Sequence, residues 1–224
     1  MNSMDHIVRI LDIGQVTHDV KYFRLQKPGG FSFIPGQATE VSVNMDGWRE
    51  EKRPFTFTCL NENPYLEFTI KGYPERKGVT AKIHSLKEGD ELIIRDVWGA
   101  IAYKDEGYFI AGGAGITPFI AILRQLHKDN RLAGNKLFFS NKTTADIIYK
   151  DELQAMLGHD AVFITTDETS GPYEHTRIDE EFLKRNIADF SRHFYVCGPD
   201  AMVKDINDAL GRLHASTDNV VFEK

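Results

Sequence analysis

Hydrophobic residues in the first hundred positions occur in short runs, some of which alternate with polar residues at a period of two. Turn residues separate these runs, among them Pro28-Gly29-Gly30 and Pro35-Gly36. Short strands with turns at this spacing predict an antiparallel β-barrel. The predicted strands cover residues 7–11, 20–25, 39–43, 54–60, 65–71 and 92–94, and the fourth and fifth of them form a hairpin.

The stretch from residue 78 to residue 86 breaks this strand pattern. Val79, Ile83 and Leu86 fall on one face of a helix. We therefore predict a single short helix at this point, with its apolar face covering one end of the barrel.

The pattern changes after the polar segment at residues 104–107. Strand-like runs now alternate with runs of helical spacing, and such a βαβ series predicts a doubly wound parallel sheet with helices on both faces. We place the domain boundary near Tyr103, so that residues 1–103 form the barrel domain and residues 104–224 the α/β domain. The predicted strands cover residues 108–111, 136–139, 161–165, 193–196 and 220–222, and the predicted helices cover residues 118–127, 146–157, 178–186 and 201–213.

A glycine-rich turn, Gly112-Gly113-Ala114-Gly115-Ile116-Thr117-Pro118, follows the first strand of this series. Glycines let a ligand approach the main chain. Thr117 is predicted to cap the next helix and Pro118 to be its first residue, so that free N–H groups form an anion site. The spacing lacks the third glycine of the dinucleotide fingerprint. On this stretch alone, a turn without a ligand is an equal alternative to a pyrophosphate site.

Right-handed crossovers place the carboxyl ends of all the parallel strands on one edge of the sheet. Ligands of open sheets bind at that edge. The segments that meet there are residues 112–117, Ser140-Asn141-Lys142, Thr166-Asp167 and Cys197-Gly198-Pro199.

Two segments of the barrel also contain residues suited to ligand binding. In Arg53-Pro54-Phe55-Thr56, the guanidinium suits a phosphate, the aromatic ring suits a flat ligand and the hydroxyl can donate to a ring nitrogen. In Lys77-Gly78-Val79-Thr80, a glycine and a threonine at a helix start suit phosphate oxygens. Taken alone, the first segment fits a barrel strand with a surface arginine and a core phenylalanine better, and the second fits a simple helix cap better.

Composition narrows the class of protein. The chain has 224 residues, of which 42% are hydrophobic and 27% are charged, as in ordinary globular proteins. A net charge of −6 argues against non-specific nucleic-acid binding. The first residues lack the apolar core of a signal peptide, and no run approaches the ~20 apolar residues of a membrane span. Cys59 and Cys197 are far apart and no His-x-x-x-His pair occurs, which indicates no metal site and a reducing cytoplasm.

Together these motifs resemble the ferredoxin–NADP reductase superfamily, the flavin-containing pyridine-nucleotide reductases that include cytochrome b5 reductase and bacterial oxygenase reductases. The resemblance rests on a barrel with an Arg-x-aromatic-Ser/Thr strand and a glycine–threonine helix start at Gly78-Val79-Thr80. A nucleotide domain with Gly-Gly-x-Gly-Ile-Thr-Pro and Cys-Gly-Pro follows. The resemblance covers almost the whole chain, with the four motifs in the expected order.

The resemblance implies that the barrel binds FAD and that the second domain binds NADH or NADPH. The implied FAD contacts are Arg53 to a phosphate, Phe55 to the flavin ring, Thr56 to the ring near its reactive nitrogen, and Gly78, Val79 and Thr80 to the pyrophosphate. Pro54 is a further implied cofactor-binding residue. The implied coenzyme contacts are to the pyrophosphate from Gly112, Gly113, Ala114, Gly115, Ile116, Thr117 and Pro118, and to the nicotinamide from Cys197 and Gly198. Pro199 is a further implied cofactor-binding residue.

The sequence departs from the superfamily in three places. Residues 96–99 replace a Gly-Pro-x-Gly segment of many relatives. Many relatives end in an aromatic residue that covers the far face of the flavin, whereas this sequence ends in Val221-Phe222-Glu223-Lys224. Phe222 either covers the flavin or, as we slightly favour, packs in the core. Glu223 resembles an acidic residue that some relatives place near the nicotinamide. No ferredoxin domain occurs in the sequence, so we expect electrons to leave to a separate carrier.

The choice between NADH and NADPH depends on charge. The second parallel strand ends in Ser140-Asn141-Lys142, with no acidic residue to repel a 2′-phosphate. Lys142 could contact that phosphate and Tyr149 could stack on adenine, which weakly favours NADPH. A solvated loop lysine is an equal alternative.

The expected function is that of a cytoplasmic FAD-dependent NAD(P)H oxidoreductase. Electrons would pass through the flavin to a separate protein such as a ferredoxin, a flavodoxin or an oxygenase component, and the candidate catalytic residues are Thr56, Cys197 and Glu223. One alternative is a flavin reductase that releases reduced flavin. Another, from a different class, is a regulatory module that binds flavin or nucleotide without turnover. The oligomeric state stays open.

Overall fold

The computed structural model describes residues 5–73, 75–99, 101–216 and 220–222. The chain divides into two compact units, Met1–Ala100 and Ile101–Lys224. This division lies three residues before Tyr103, the position near which the sequence predicts the domain boundary. Tyr103 packs within the second unit, where its ring stacks on Phe109 with centroids 6.3 Å apart and its hydroxyl hydrogen-bonds Asn135.

The first unit is an antiparallel barrel, as predicted. Its strands are joined in the order β4-β3-β6-β1-β2-β5. An antiparallel bridge between Phe57, just after β4, and Phe68 of β5 links the two edges of the sheet and so closes the barrel. The elements are β1 (His6–Thr17), β2 (Val20–Gln26), β3 (Gln37–Val43), β4 (Arg53–Thr56), β5 (Tyr65–Lys71), α1 (Val79–His84) and β6 (Glu91–Gly99).

Two strands differ from their predicted lengths. β1 continues to Thr17 because it bends, pairing first with β6 and then with β2 through register shifts. β4 ends at Thr56, earlier than predicted, because the chain there passes from one neighbour to the other. The Phe57 N–H donates to Gln37 and the Thr58 N–H donates to Glu67. The predicted hairpin is therefore limited to this short pairing.

Aromatic rings fill the barrel core. Phe57 is fully buried. It stacks on Phe33 with centroids 4.2 Å apart and contacts Phe68 at 5.1 Å. The predicted helix packs here as expected, with Val79 and Ile83 of α1 buried in the same cluster. Sequence pattern and packing agree because the apolar positions of α1 recur at helical spacing.

The second unit is a parallel sheet with the strand order β10-β9-β8-β7-β11-β12, so the predicted doubly wound α/β fold is confirmed. One face of the sheet is covered by α4 and α5, while Phe119 of α2 packs on Phe109 on the other face. The elements are β7 (Gly107–Gly112), α2 (Thr117–Lys128), β8 (Lys136–Asn141), α3 (Lys150–Leu157), β9 (Ala161–Thr165), β10 (Glu174–His175), α4 (Glu180–Asn186), β11 (His193–Cys197), α5 (Asp200–Arg212) and β12 (Val220–Phe222).

Two features of this unit were not predicted correctly. β10 has no hydrophobic signal, because both of its residues are exposed. The helix expected from Asp146 begins only at Lys150, because Tyr149 adopts a left-handed conformation with φ of 52°. A 3-10 turn over Thr144–Asp146, closed by a capping box with Thr143, precedes it. No helix in the described part of the chain is long and apolar enough to cross a membrane.

The barrel core gives the first prediction. Phe57→Ala should reduce the free energy of unfolding by about 3–5 kcal/mol, because it leaves a cavity between two stacked rings. Ile34→Ala is the control, since Ile34 is 58% exposed, and it should change stability by less than about 0.5 kcal/mol. Denaturant unfolding measures both variants. Equal losses in the two would contradict this description of the core.

Candidate functional site

The turn after β7 leads without a break into α2. Gly113–Ile116 forms a 3-10 helix, and Gly113 has φ of 52°, which favours glycine. The predicted cap at Thr117 is wrong: the first helical residue is Thr117 itself, and its hydroxyl donates to the Ala114 carbonyl at 3.0 Å. Pro118 was predicted as the first residue of the helix and is its second, which is still within the first helical turn. No acidic side chain occupies that turn, so its N–H groups suit an anion.

Two glycines of this turn allow it to contact the turn after β11. A Cβ atom on Gly115 would lie 2.4 Å from the Cys197 carbonyl oxygen and 2.6 Å from the Gly198 Cα. A Cβ atom on Gly112 would lie 3.0 Å from the Pro199 ring. A Cβ atom on Gly113, in contrast, would meet nothing within 4 Å. Gly112 and Gly115 are therefore needed for packing, whereas Gly113 borders open space.

The neighbouring strand ends complete the edge. β7 and β8 pair through Gly112 and Ser140, and Cys197 ends β11 opposite Ala111 of β7. Ser140 is half-buried, Lys142 is exposed and Cys197 is 5% exposed. The structure thus brings the predicted segments of the second unit to one edge of one sheet.

The first unit carries the Arg53–Thr56 segment on β4. Arg53 is exposed, donates to the Lys52 carbonyl at 2.6 Å and has no acidic partner within the described residues. Phe55 is half-buried and packs partly on Phe68, with centroids 6.2 Å apart. Thr56 is 6% exposed, and its hydroxyl has no hydrogen-bond partner among the described residues. A buried hydroxyl without a partner is unfavourable, so it marks a position suited to a ligand atom.

The sequence is similar to known reductases. The profile of the oxidoreductase NAD-binding domain family matches residues 109–208. NADH-cytochrome b5 reductase 2-A of Vanderwaltozyma polyspora is 31% identical over 84% of this chain and 69% of its own length. The chain belongs to the ferredoxin–NADP reductase superfamily.

Further comparisons agree on the fold. A ferredoxin NADP+ reductase from Neisseria gonorrhoeae, solved with bound FAD and NADP, superposes with a TM-score of 0.85 at 22% identity over 98% of each chain. The reductase component of propane 2-monooxygenase from Rhodococcus jostii is 28% identical over 96% of this chain and 62% of its own length. The chain covers 63% and 58% of two mycobacterial counterparts, so it spans roughly three fifths of these relatives.

In this superfamily member the loops beyond β8 and β9 are joined by hydrogen bonds. The Thr166 and Asp167 N–H groups donate to the carbonyls of Asn141 and Lys142, each at 2.9 Å. Glu168 accepts hydrogen bonds from the Thr144 hydroxyl and N–H, both at 2.6 Å, and these bonds lower the pKa of the Glu168 carboxyl. Sequence reasoning did not identify this contact, because it joins two loops that are distant in sequence.

A buried polar cluster beside Thr56 was also missed. Glu67 is 3% exposed, accepts from Thr58 at 3.1 Å and is paired with Arg24 at 3.0 Å. Thr58 also hydrogen-bonds Thr69 at 3.1 Å. A buried carboxylate is tolerated when it is paired and hydrogen-bonded. The cluster ties β2 and β5 to the segment that follows Thr56, and so it holds the Thr56 backbone in place.

The helix start predicted for the FAD pyrophosphate has an open backbone. Gly78 caps α1 without a side-chain hydrogen bond, and a Cβ atom there would meet nothing within 4 Å. Val79 is buried in the core, so it can offer a ligand only its main chain. Thr80 is half-buried.

The end of α1 is tied to β5 by a histidine. His84 Nε2 lies 2.8 Å from the Ile70 carbonyl oxygen. Burial lowers the pKa of His84, with a smaller contribution from the positive charge of Lys21.

The last two predicted site residues lie at the carboxyl end. The backbone of Phe222 pairs with Val196 in the closing strand, and its side chain is outside the described part of the structure. Glu223 lies outside the described residues. Both assignments stay predictions.

The contact between the two turns gives a second prediction. Gly115→Ala should destabilise the second unit by about 1–3 kcal/mol, because the new methyl group meets backbone atoms that cannot move independently. Gly211→Ala is the matched control, since a Cβ atom there meets nothing within 4 Å and alanine favours the α5 helix. Thermal unfolding of both variants is the measurement. A Gly115→Ala variant as stable as the control would refute the contact.

The pKa of His84 gives a third prediction. The unfolded chain has an ordinary histidine pKa of 6.5 and the folded chain a lower one, so the unfolded state binds more protons near pH 6. Stability from His84 is therefore present above pH 6.5 and is lost as the pH falls towards the folded pKa. The free energy of unfolding, measured at several pH values, should fall less steeply with decreasing pH in His84→Gln than in wild type. Glutamine keeps an N–H donor but does not titrate. An unchanged slope would exclude His84 as its source.

Proposed function

We propose that the chain is a flavin-dependent NAD(P)H reductase, in which the first unit holds FAD and the second unit binds NADH or NADPH. Membership of the reductase superfamily supports the activity. The structural observation that carries the proposal is Thr56, whose buried hydroxyl has no protein partner among the described residues. A flavin ring offers nitrogen and oxygen atoms to such a hydroxyl, so the residues present fit the cofactor.

The other FAD contacts follow from exposure and charge. Arg53 is exposed without an acidic partner in the described chain, so it is free to form a charge-assisted pair with a phosphate. Pro54 is exposed and the half-buried Phe55 ring keeps some surface for the flavin. Gly78, Val79 and Thr80 offer main-chain N–H groups and a hydroxyl to the FAD pyrophosphate.

The exchangeable coenzyme, NADH or NADPH, would bind at the edge of the parallel sheet. Its pyrophosphate would lie against residues 112–118, close to Ser140, and its nicotinamide beside Cys197, Gly198 and Pro199. The buried Cys197 would act through shape and polarisability, as a small apolar residue does. Glu223, as the candidate acidic residue near the nicotinamide, belongs to the same proposal, and for Phe222 both a cofactor contact and a place in the core stay open.

Hydride transfer needs positioning more than acid–base help. When bound, FAD supplies the chemistry that the side chains lack, accepting a hydride and releasing electrons singly. The reaction itself requires that the two rings are in contact and that water is excluded. Thr56 would orient the flavin ring through one hydrogen bond.

The electron acceptor would be a separate redox carrier, such as a ferredoxin, a flavodoxin or an oxygenase component. This proposal is supported by relatives that are named as monooxygenase reductase components. Both cysteines are free thiols, which fits a cytoplasmic location.

The test of this function is the visible spectrum of the purified protein supplied with FAD. The protein should remain yellow after gel filtration, and anaerobic NADH or NADPH should bleach it. Loss of all FAD on the column would favour the flavin-reductase alternative, and bound FAD that neither coenzyme bleaches would favour a non-catalytic module. Lys142 weakly favours NADPH in this proposal, because it could contact the 2′-phosphate. The test is the ratio of kcat/KM for NADPH to kcat/KM for NADH in wild type and in Lys142→Ala. An unchanged ratio would exclude Lys142 from coenzyme selection.

Arg53 gives a fourth prediction. Arg53→Ala should weaken FAD binding by about 1.5–3 kcal/mol, because it removes a charge-assisted hydrogen bond to phosphate. Arg9→Ala is the matched control, since Arg9 is also an exposed arginine of the barrel. Titration of apoprotein with FAD, followed by flavin fluorescence, measures both. If both variants bind FAD as wild type does, the β4 segment has been misassigned.

A further inference from the structure

Asn141 is a buried amide whose hydrogen-bonding capacity is unused. It is the last residue of β8 and is 5% exposed. Neither Nδ2 nor Oδ1 has a hydrogen-bond partner within the described part of the chain. Both a donor and an acceptor are thus left unsatisfied, an arrangement that costs stability and is rare in folded proteins.

The surrounding backbone is well satisfied, which sets Asn141 apart. Its own carbonyl accepts from the Thr166 N–H at 2.9 Å. Just beyond it, Thr143 and Asp146 form a reciprocal capping box, and Thr144 donates twice to Glu168. The unpartnered amide therefore lies in an ordered loop connection rather than in a poorly packed one.

The register of the sheet places this amide beside the glycine-rich turn. Gly112 pairs with Ser140; Asn141 is the next residue of β8, and Gly113 is the first residue of the 3-10 helix after β7. Alternation along β8 puts its side chain on the same face as Leu137. Leu137 pairs with Phe109, which α2 covers through Phe119. The amide is thus on the α2 side of the sheet, at the same sheet edge as Gly113, where a Cβ atom would meet nothing within 4 Å.

The chemistry of an amide restricts the ligand. Phosphate oxygens only accept hydrogen bonds, so a phosphate would satisfy Nδ2 and leave Oδ1 without a donor. A ribose diol both accepts and donates, and it satisfies both atoms at once. Adenine also has both kinds of group, but it is one sugar further from the pyrophosphate that the neighbouring turn would bind.

We propose that Asn141 binds the hydroxyl groups of a coenzyme ribose, an inference that rests on the proposed coenzyme site. Nδ2 donates to one hydroxyl oxygen, and the other hydroxyl donates to Oδ1. The stability lost in the empty protein is recovered when the nucleotide binds. A neutral amide does not repel a 2′-phosphate, so Asn141 recognises the sugar without itself choosing between NADH and NADPH.

The test combines stability with binding. Asn141→Leu has a similar volume and no polar side-chain atoms, so it should raise the thermal unfolding midpoint of the nucleotide-free protein. The same variant should bind ADP-ribose at least about tenfold more weakly, as measured by calorimetry. Its affinity for inorganic pyrophosphate should be unchanged. A purely structural asparagine would give the opposite stability result, since its loss would lower the midpoint.

Asn207→Leu is the control for the stability effect. Asn207 has an unpartnered Oδ1 in α5, away from the strand ends, so its replacement should leave ADP-ribose binding unchanged. ADP identifies the sugar: weaker binding of both ADP and ADP-ribose assigns Asn141 to the adenosine ribose, and weaker binding of ADP-ribose alone assigns it to the second ribose. Either result supports the inference. Asn141→Ala, with the same expected loss of binding, replaces Asn141→Leu if that variant does not fold.

Two results would overturn the inference and are distinguishable. If wild type binds ADP-ribose and Asn141→Leu binds it equally well, the role of Asn141 is wrong and the proposed function stands. If wild type binds neither ADP-ribose nor pyrophosphate, the proposed coenzyme site is wrong and the inference fails with it.

Discussion

The contact between two main-chain turns determines the geometry of the second unit. The turn after β7 meets the turn after β11 so closely that Gly115 has no room for a Cβ atom beside Cys197 and Gly198. Because backbone meets backbone, a change of side-chain rotamer cannot relieve a substitution there. The same contact fixes the 3-10 turn at the start of α2, and hence the direction of the N–H groups proposed to bind a pyrophosphate. Gly112 and Gly115 are therefore required for packing, whereas Gly113 borders open space.

The buried Thr56 hydroxyl and the buried Asn141 amide, both without a partner among the described residues, lie where we propose that a ligand binds. Thr56 lies on the strand assigned to flavin binding, and Asn141 lies at the sheet edge assigned to the coenzyme. The buried Glu67, in contrast, is paired, and the remaining unpartnered atom among the described residues is Asn207 Oδ1 in α5. Leaving a group unsatisfied lowers stability in the empty protein and gives a ligand more free energy to recover on binding. This pattern is expected of a binding protein that has not been optimised for stability alone.

The fold was largely predictable because hydrophobic period and glycine position are local signals. Both architectures, the helix at α1 and the edge that collects the strand ends followed from them. What failed depends on tertiary context. The sequence predicts Thr117 as a helix cap, but its hydroxyl donates to the Ala114 carbonyl instead. The start of α3 is later than predicted because Tyr149 adopts a left-handed conformation, which a tyrosine rarely does. The unsatisfied amide of Asn141 was also missed, because the hydrogen-bond partners of a side chain depend on tertiary contacts.

The central claim is hydride transfer from a bound nicotinamide to a flavin held by this chain. It is tested most directly by the rate at which FAD bleaches in stopped flow, with saturating NADH or NADPH carrying deuterium at one or the other C4 position. A bound nicotinamide presents one face, so the account predicts slower bleaching with one labelled form and an unchanged rate with the other. Bleaching that neither label slows, or that both slow equally, would contradict it.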